Sequence, residues 1–248
     1  MRKTIFSHFY NEEYLLPWWL KHHREIFDHG VMINYASTDS SVDIIRDLCP
    51  TWEIVDSINH VFDATIIERE IENYELHHKG WKMVLNTTEF IIGDFKKLDD
   101  YDLQAELICK CHIMVDSEEN EFREPDKNLS LLKTRTNGID LTLKHSEDFS
   151  KDRGCRLIHK NDEYRYPLGR HYHESNTDLF HVLWYGYSPF TERLLERKLQ
   201  IKDRIPLDNI KRKLGFEHMY PREKMIEEMK RYQRSSNDMS DFINKHNQ

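Results

Sequence analysis

Amide and carboxylate side chains come directly after two short apolar segments near the start of the chain. Asn11 and Glu12 follow an apolar stretch that contains Phe6, and Asp39 lies in the polar run after Val31–Ile33. A carboxylate at a strand end can accept hydrogen bonds from the N–H groups of a uracil or guanine base, or from a ribose hydroxyl. Because ligands bind outside the carboxyl ends of strands in open α/β sheets, these residues predict one ligand cleft. A second role, compatible with the first, is that Asp39 and Asn11 cap helix N-termini.

Histidines and aromatic residues further along the chain form two more candidate sites. His171 and His173 flank Tyr172, and in a strand both imidazoles would point to the same side as a pair of ligands. Trp184 and Tyr185 lie in an aromatic segment, and aromatic faces stack on sugar rings and bases. The alternatives are that the histidines are structural or exposed and that the aromatic segment is a core strand.

Apolar periodicity in the first half of the chain alternates between strands and helices. Short apolar runs indicate strands, and apolar residues at three- and four-residue spacing indicate the helices between them. This alternation predicts a mainly parallel sheet. The predicted strands are a stretch around Phe6, Val31–Ile33, Trp52–Val55 and Trp81–Leu85, and the predicted helices are one opened by Asn11–Glu13, then Ser41–Leu48 and Ala64–His77.

The second half of the chain is less regular. We expect antiparallel strands in the region between Phe95 and Tyr166, and we expect the polar tail Ser235–Gln248 to fray. The other predicted elements are strands at Leu107–Cys109, His112–Val115 and Leu179–Tyr187 and helices at Thr191–Leu199 and Pro221–Arg234.

The composition argues against several classes of protein. The 248 residues carry a net charge of −8 and form no basic face of the kind that nucleic-acid-binding proteins present. The 8 glycines do not cluster, which argues against a dinucleotide-binding dehydrogenase or an NTPase. The 4 cysteines are expected to be free thiols in a reducing compartment. The sequence shows no signal peptide or spanning segment, so we expect a cytoplasmic protein, with peripheral membrane contact left open.

Several short motifs near the N-terminus occur in a defined order. Asn11-Glu12-Glu13 precedes the apolar helix Leu16-Pro17-Trp18-Trp19-Leu20, followed by His22-His23 and then by Ser37-Thr38-Asp39-Ser40-Ser41. This order and spacing resemble the start of family 2 type glycosyltransferases with the GT-A fold. The resemblance implies an α/β, GT-A-like (Rossmann-like) fold with a mostly parallel central sheet flanked by helices. It also implies a small antiparallel acceptor-side region and a C-terminal helix.

The same resemblance implies a domain organisation and a function. The glycosyltransferase domain would span residues 1–220, with a nucleotide-binding half at about 1–95 and an acceptor-side half at about 96–220. A C-terminal helix and a polar tail would occupy residues 221–248. The implied activity is transfer of a sugar from a nucleotide-diphosphate sugar to a glycan or lipid-linked glycan. The alternative is a catalytically degenerate module that binds a nucleotide or glycan. The oligomeric state is left open.

Site residues follow from the resemblance by their positions. In the resembled family the helix at Ala64–His77 borders the nucleotide pocket, although a solvated polar face is the alternative for most of its side chains. A C-terminal histidine completes the metal or diphosphate site there, and His218 and His171 are the candidates. The implied nucleotide-sugar-binding residues are Asn11, Glu12, Asp39, Asp63, Arg69, Asn86 and Thr88, and the implied acceptor-side residues are Trp184 and Tyr185.

The chain departs from the family where the metal should bind. The family usually carries Asp-x-Asp-Glu-Phe after the strand that corresponds to Trp81–Leu85, and the aspartates hold a divalent metal. Here Asn86 and Thr88 replace both aspartates, and these neutral oxygen ligands bind Mn²⁺ or Mg²⁺ more weakly. Three outcomes stay open: Glu89 and a histidine hold a metal, cationic side chains neutralise the diphosphate, or the site is inactive. Glu89 is the first candidate for a catalytic base or metal ligand.

Overall fold

The structure of the protein is a computed structural model that describes residues 1–59, 61–102, 105–149, 152–212 and 214–247. The strands in these ranges are β1 (Lys3–Phe9), β2 (His29–Asn34), β3 (Glu53–Asp56), β4 (Trp81–Val84), β5 (Glu89–Gly93), β6 (Glu106–Val115), β7 (Asn137–Ile139), β8 (Arg156–His159), β9 (Thr177–Tyr187) and β10 (Asn237–Asp238). The α-helices are α1 (Leu16–His23), α2 (Ser41–Leu48), α3 (Ala64–Glu75), α4 (Leu131–Thr134), α5 (Glu192–Leu199), α6 (Leu207–Lys211), α7 (Arg222–Arg234) and α8 (Ser240–His246). Short 3-10 helices cover Phe95–Asp100, Lys144–Phe149, Leu168–Arg170, Lys202–Arg204 and Phe216–Met219.

The N-terminal half forms a parallel sheet in the order β4-β1-β2-β3. Phe6 of β1 lies opposite both Val31 of β2 and Val84 of β4, and Ile33 lies opposite Val55 of β3. The central strands are apolar on both faces because helices cover both sides, as parallel sheets require. The predicted alternation of strands and helices is confirmed, and the bounds of α2 match the prediction residue for residue.

The C-terminal half continues the same sheet with mostly antiparallel pairs. The order along the main path is β10-β7-β6-β8-β4-β1-β2-β3, and β9 branches from β6 and pairs with β5. The β4–β8, β6–β8, β6–β7, β7–β10 and β5–β9 pairs are antiparallel, whereas β6 and β9 run parallel. The predicted fold class, an α/β sheet flanked by helices with an antiparallel region and a C-terminal helix, is confirmed.

Helices cover the two faces of the parallel sheet. On one face Phe6, Val31 and Ile33 pack with Ile71 of α3. On the other face the main core includes Trp19 of α1 and extends to side chains of α2, α5, α7 and α8. Within the described ranges, no helix is both long and apolar enough to cross a membrane.

Three local expectations were wrong. The first helix begins at Leu16 and not at Asn11, because Asn11 adopts a left-handed backbone with φ of 49°. The tail does not fray: β10 pairs with β7, and Ile243 of α8 is 1% exposed in the core. The polar face of α3 is solvated only at Arg69 and Asn73, whereas its glutamates are buried against basic and hydroxyl groups from other elements. These glutamates are Glu68, Glu70, Glu72 and Glu75.

Candidate functional site

The loops after β1, β2 and β4 meet at the carboxyl edge of the parallel sheet, as predicted. The Asn11 side-chain oxygen accepts a hydrogen bond from the Thr38 backbone N–H at 2.8 Å. Arg197 of α5 donates to Glu12 at 2.6 Å and to the Thr87 hydroxyl at 3.2 Å. Side-chain hydrogen bonds therefore connect the three polar strand ends.

The helix-capping role predicted for Asn11 and Asp39 is wrong, because Asn11 lies outside α1 and neither α1 nor α2 has a side-chain capping hydrogen bond at its N-terminus. Asp39 accepts from the backbone N–H groups of Glu13 and Ser41, each at 3.0 Å. Asn11 also accepts from the Asp39 N–H at 3.3 Å. These bonds join the β1 and β2 exit loops and hold the two side chains in place. Their predicted contacts to a nucleotide stay a prediction, and a carboxylate has lone pairs left for them.

The two candidates at α3 lie in different surroundings. Asp63 is the N-cap, and its carboxylate accepts from the N–H groups of Thr65 at 2.9 Å and Ile66 at 3.0 Å. Arg69 is exposed and lines a cavity of about 590 Å³ together with Asn73 and other residues. Asp63 is thus engaged in helix capping, whereas Arg69 is accessible to a ligand.

Glu89 is fully buried in an ion pair with arginine side chains. The Arg156 Nε lies 3.1 Å from both carboxylate oxygens, and its Nη2 lies 2.7 Å from Oε1. Arg153 contacts the same oxygen, and the Asn86 N–H donates to the other at 2.9 Å. A buried carboxylate requires such partners, because desolvation of an isolated charge is very costly. A base role for Glu89 would require a guanidinium to move away.

The arginines around Glu89 belong to a larger group that we call the arginine cluster: Arg153, Arg156, Arg170 and the adjacent His171. Arg170 pairs with Glu68 of α3 and lies 3.4 Å from the Asn86 side-chain oxygen. The Arg156 Nη1 donates to the His171 Nδ1 at 3.0 Å. Three guanidinium groups face two carboxylates, so the cluster carries a net positive charge.

The electrostatics of His171 reflect this excess of positive charge. His171 is exposed as a residue, but desolvation of its ring beside the cluster, followed by the charges of Arg156, Arg153 and Arg170, lowers its pKa to about 2. The imidazole is therefore neutral at physiological pH. The predicted pairing with His173 in one strand does not occur, because His171 follows the 3-10 helix Leu168–Arg170 and lies outside the regular strands.

A second cationic group lies on α5. Lys198 donates to the Gly186 carbonyl at 3.0 Å and lies 4.2 Å from the centre of the Tyr187 ring. Burial, followed by the charges of Lys198 and Arg197, lowers the pKa of His218 to about 4. The two candidate histidines thus lie in two groups, with His171 beside Arg156 and His218 beside Arg197 and Lys198.

The predicted acceptor-side pair is divided between two faces of β9. Trp184 is partly exposed, lies opposite Glu89 in the β5–β9 pair, and has the Arg153 guanidinium 4.7 Å from its ring centre. Tyr185 is fully buried, and its hydroxyl donates to the Arg135 carbonyl at 3.1 Å. Only Trp184 has a ring accessible to a ligand, because successive side chains of a strand point to opposite faces.

The side chains after β4 are poor ligands for a hard dication. Both Glu89 oxygens face donor groups, Thr88 is only 7% exposed, and the neighbouring guanidinium groups would repel a metal ion. Asp116 is no free ligand either, because it is buried and accepts from the Ser188 hydroxyl and the Phe190 N–H. In the part of the chain that the structure describes, one group of three ligand-type side chains converges tightly enough for a metal, and it lies at the opposite edge of the sheet.

Sequence reasoning missed Arg153, Arg156 and Arg170. Arg156 lies 67 residues from its partner Glu89, and Arg170 lies 102 residues from Glu68. No local pattern links residues so far apart. The one available signal was the excess of acidic residues on α3, which requires basic partners if the helix is buried.

Comparison with known proteins gives fold-level similarity only. No protein-family model matches the chain, and no curated protein matches it. The solved structures that resemble it include S. aureus TarS 1-349, with 12% identity, a TM-score of 0.40, and coverage of 82% of this chain and 65% of that chain. The complex of TarS 1-349 with UDP-GlcNAc has 12% identity, a TM-score of 0.40, and coverage of 82% and 66%.

HddC from Yersinia pseudotuberculosis also resembles the chain, with 10% identity, a TM-score of 0.38, and coverage of 79% of this chain and 99% of that chain. The chain spans 65% of the TarS 1-349 chain and 43% of a longer TarS chain. Similarities at this level do not identify a function.

Proposed function

We propose that this protein is a glycosyltransferase that moves a sugar from a nucleotide-diphosphate sugar to a glycan or lipid-linked glycan. The observation that carries the proposal is the pair of cationic groups beside the loop after β4. Arg170 contacts Asn86, and Arg197 contacts Thr87. The resembled family holds a metal and the donor diphosphate at this loop, and the N-terminal motifs of the chain resemble the same family.

The cationic groups suit a diphosphate leaving group. Guanidinium groups bind phosphate oxygens through two parallel hydrogen bonds, and fixed cations stabilise the negative charge that develops as the sugar bond breaks. The arginine cluster carries more positive than negative charge, so it can accept an anion without a metal. We therefore propose that Arg153, Arg170 and Arg197 bind and neutralise the donor diphosphate in place of the dication of the family pattern.

The nucleotide would bind over the β1 and β2 exit loops. Asn11 and Asp39 fix the backbone of these loops, and Glu12 is fixed by Arg197. We propose that the remaining lone pairs of Asp39 accept from the base or ribose. Trp184 would stack on the transferred sugar or the acceptor, since its partly exposed ring lies next to Arg153.

Proton abstraction requires a free lone pair on a carboxylate oxygen near the acceptor hydroxyl. Glu89 could supply it if Arg153, whose side chain is 11% exposed, moved from the carboxylate to the donor diphosphate. Donor binding would then free one lone pair of the Glu89 Oε1, while Arg156 kept its contact with the same oxygen and held the carboxylate in position. This coupling would make the base available only when the donor is bound.

The test is binding of UDP-, GDP- and dTDP-sugars and release of nucleoside diphosphate from them, each measured with added Mn²⁺, with added Mg²⁺ and with a chelator. We expect turnover of one donor class, as slow hydrolysis without acceptor, at the same rate in all three conditions. A requirement for metal would overturn the metal-free proposal and favour Glu89 with His171 or His218 as ligands. Absence of binding to every donor would overturn the function itself.

The second candidate function is a binding module without catalysis. The observation that favours it is the engagement of both Glu89 oxygens by guanidinium and amide donors. Tight binding of a nucleotide sugar without turnover, in the presence of candidate glycan and glycolipid acceptors, would support this candidate.

A further inference from the structure

Two histidines and a glutamate converge at the amino edge of the parallel sheet, opposite the candidate transfer site. His29 is the first residue of β2, Glu53 is the first residue of β3, and His78 precedes β4. The His29 Nε2 lies 2.9 Å from the Glu53 Oε1, and the His78 Nε2 lies 3.7 Å from the same oxygen. One ligand atom from each of the three side chains lies within 4.8 Å of the others.

The orientation of His78 is fixed by a hydrogen bond away from this group. Its Nδ1 lies 2.9 Å from the Tyr74 carbonyl oxygen. A carbonyl oxygen only accepts, so Nδ1 carries the proton and the Nε2 of the neutral ring keeps its lone pair. This is the arrangement that metal-binding histidines commonly show, with the second ring nitrogen donating to a carbonyl or carboxylate. The His29 and His78 rings stack with their centres 5.5 Å apart, and both Nε2 atoms lie near the Glu53 Oε1.

We propose that His29, Glu53 and His78 form a binding site for a divalent transition-metal ion of the Zn²⁺ class. Two imidazole nitrogens and one carboxylate oxygen are a common set of zinc ligands. Bonds of about 2.1 Å in a tetrahedron separate neighbouring ligand atoms by about 3.4 Å, which lies between the two distances to the Glu53 oxygen. The fourth position would hold water.

The surroundings allow an ion to reach the site. The side chains of His29 and His78 are 8% and 10% exposed, whereas that of Glu53 is 51% exposed. A cavity of about 990 Å³ borders His78 and is also lined by Arg2 and His77. Burial lowers the pKa of His29, the charges of Arg2 and His78 lower it further, and the hydrogen bond to Glu53 acts in the opposite direction.

The proposed ion would connect three elements: the starts of β2 and β3 and the segment after α3. Binding to the folded protein alone would stabilise it by mass action. The site lies at the amino ends of the strands, so its role is separate from the proposed sugar transfer, and its test does not depend on activity.

The experiment uses the untagged full chain, freed of metal with a chelator and desalted. Zn²⁺ is titrated calorimetrically into the wild type and into Glu53→Gln, His78→Gln and His77→Gln. We expect one tight equivalent in the wild type and in His77→Gln, and at least about tenfold weaker binding in the other two. His77→Gln is the matched control because it removes an exposed histidine from the same cavity.

Two further measurements decide the result if His78→Gln does not fold. Glu53 is half-exposed, so Glu53→Gln should fold, and Zn²⁺ should raise the melting temperature of the wild type but not of this variant. Co²⁺ in place of Zn²⁺ should give the visible absorption of a four-coordinate site. Unchanged Zn²⁺ binding in Glu53→Gln, equal loss in His77→Gln, or no tight equivalent in the wild type would overturn the proposal.

Discussion

The Glu89 carboxylate and the Arg156 guanidinium form an ion pair that is almost completely excluded from solvent. Nη2 of Arg156 lies 2.7 Å from Oε1 of Glu89, and the two side chains are 2% and 0% exposed. The pair connects the start of β5 to the start of β8, across the position where the family pattern has metal-binding aspartates. It therefore holds the candidate site together whether or not Glu89 also acts as a base.

Glu89→Gln should destabilise the protein strongly. Removing one partner of a buried ion pair leaves an uncompensated charge, which costs about 3–5 kcal/mol. Urea denaturation at neutral pH measures the loss, and Glu118→Gln, at an exposed loop position, should change the unfolding free energy by less than about 0.5 kcal/mol. The double variant Glu89→Gln/Arg156→Gln should lose less than the sum of the single losses. Strict additivity would contradict the pairing.

Arg197→Ala should weaken binding of the nucleoside diphosphate by at least about tenfold, because a charged hydrogen bond contributes about 1.5–3 kcal/mol. Arg197→Lys should recover only part of the loss, since lysine keeps the charge but not the planar fork that contacts Glu12. Titration calorimetry with the diphosphate measures both. Arg193→Ala is the control on the same helix, because Arg193 contacts Glu13 and Tyr14 and should leave the affinity unchanged. Equal effects of both alanine variants would argue against a specific phosphate contact.

His22 should make the protein less stable in acid. Burial lowers the pKa of His22 from 6.5 to about 4, and its Nε2 lies 2.6 Å from the Ile91 carbonyl. A base with a lowered folded pKa contributes stability above its unfolded pKa of 6.5 and loses it as the pH falls toward 4. Between pH 7 and pH 5 we expect the wild type to lose about 2 kcal/mol more than His22→Gln.

Urea denaturation at the two pH values measures the difference for His22. The exposed His77 provides the control, since His77→Gln should keep the pH dependence of the wild type. If His22→Gln and the wild type showed the same pH dependence, burial would not lower the pKa of His22.

The C-terminal helix α8 should contribute measurably to stability. Ile243 is 1% exposed, so Ile243→Ala should cost about 2–4 kcal/mol from lost burial and the remaining cavity. Asn244→Ala, at the next and exposed position, should cost less than about 0.5 kcal/mol. A cost for Ile243→Ala as small as that for Asn244→Ala would show that the tail frays in solution, as the sequence had indicated.

The strands and helices of the parallel half could be predicted because their signals are local. The apolar runs around Phe6, Val31 and Met83 define the strands, and polar residues directly after them placed Asn11, Asp39 and Asn86 at one edge. The packing of Ile243 could not be predicted, because it depends on a pocket formed by elements that are distant in the sequence.

The electrostatic part of the site was the least predictable. Glu89 could be singled out by its position after a strand, but the arginines that form ion pairs with it could not be predicted. Arg156 lies at the start of a short strand, and only the β4–β8 pairing brings it to the end of β4. Burial turns such a residue into part of a charge network, and burial at β8 is set by tertiary structure.

The strands at the two ends of the sheet's main path are short and polar. β3 has four residues, with exposed Glu53 and Asp56 at its ends, and β10 consists of two exposed residues, Asn237 and Asp238. An end strand with free backbone groups is a template on which another chain can add a strand, and brevity and charge at that strand discourage such growth. The brevity and polarity of β3 and β10 thus protect both ends of the main path of this sheet, which has ten strands within the described residues, from edge-to-edge aggregation.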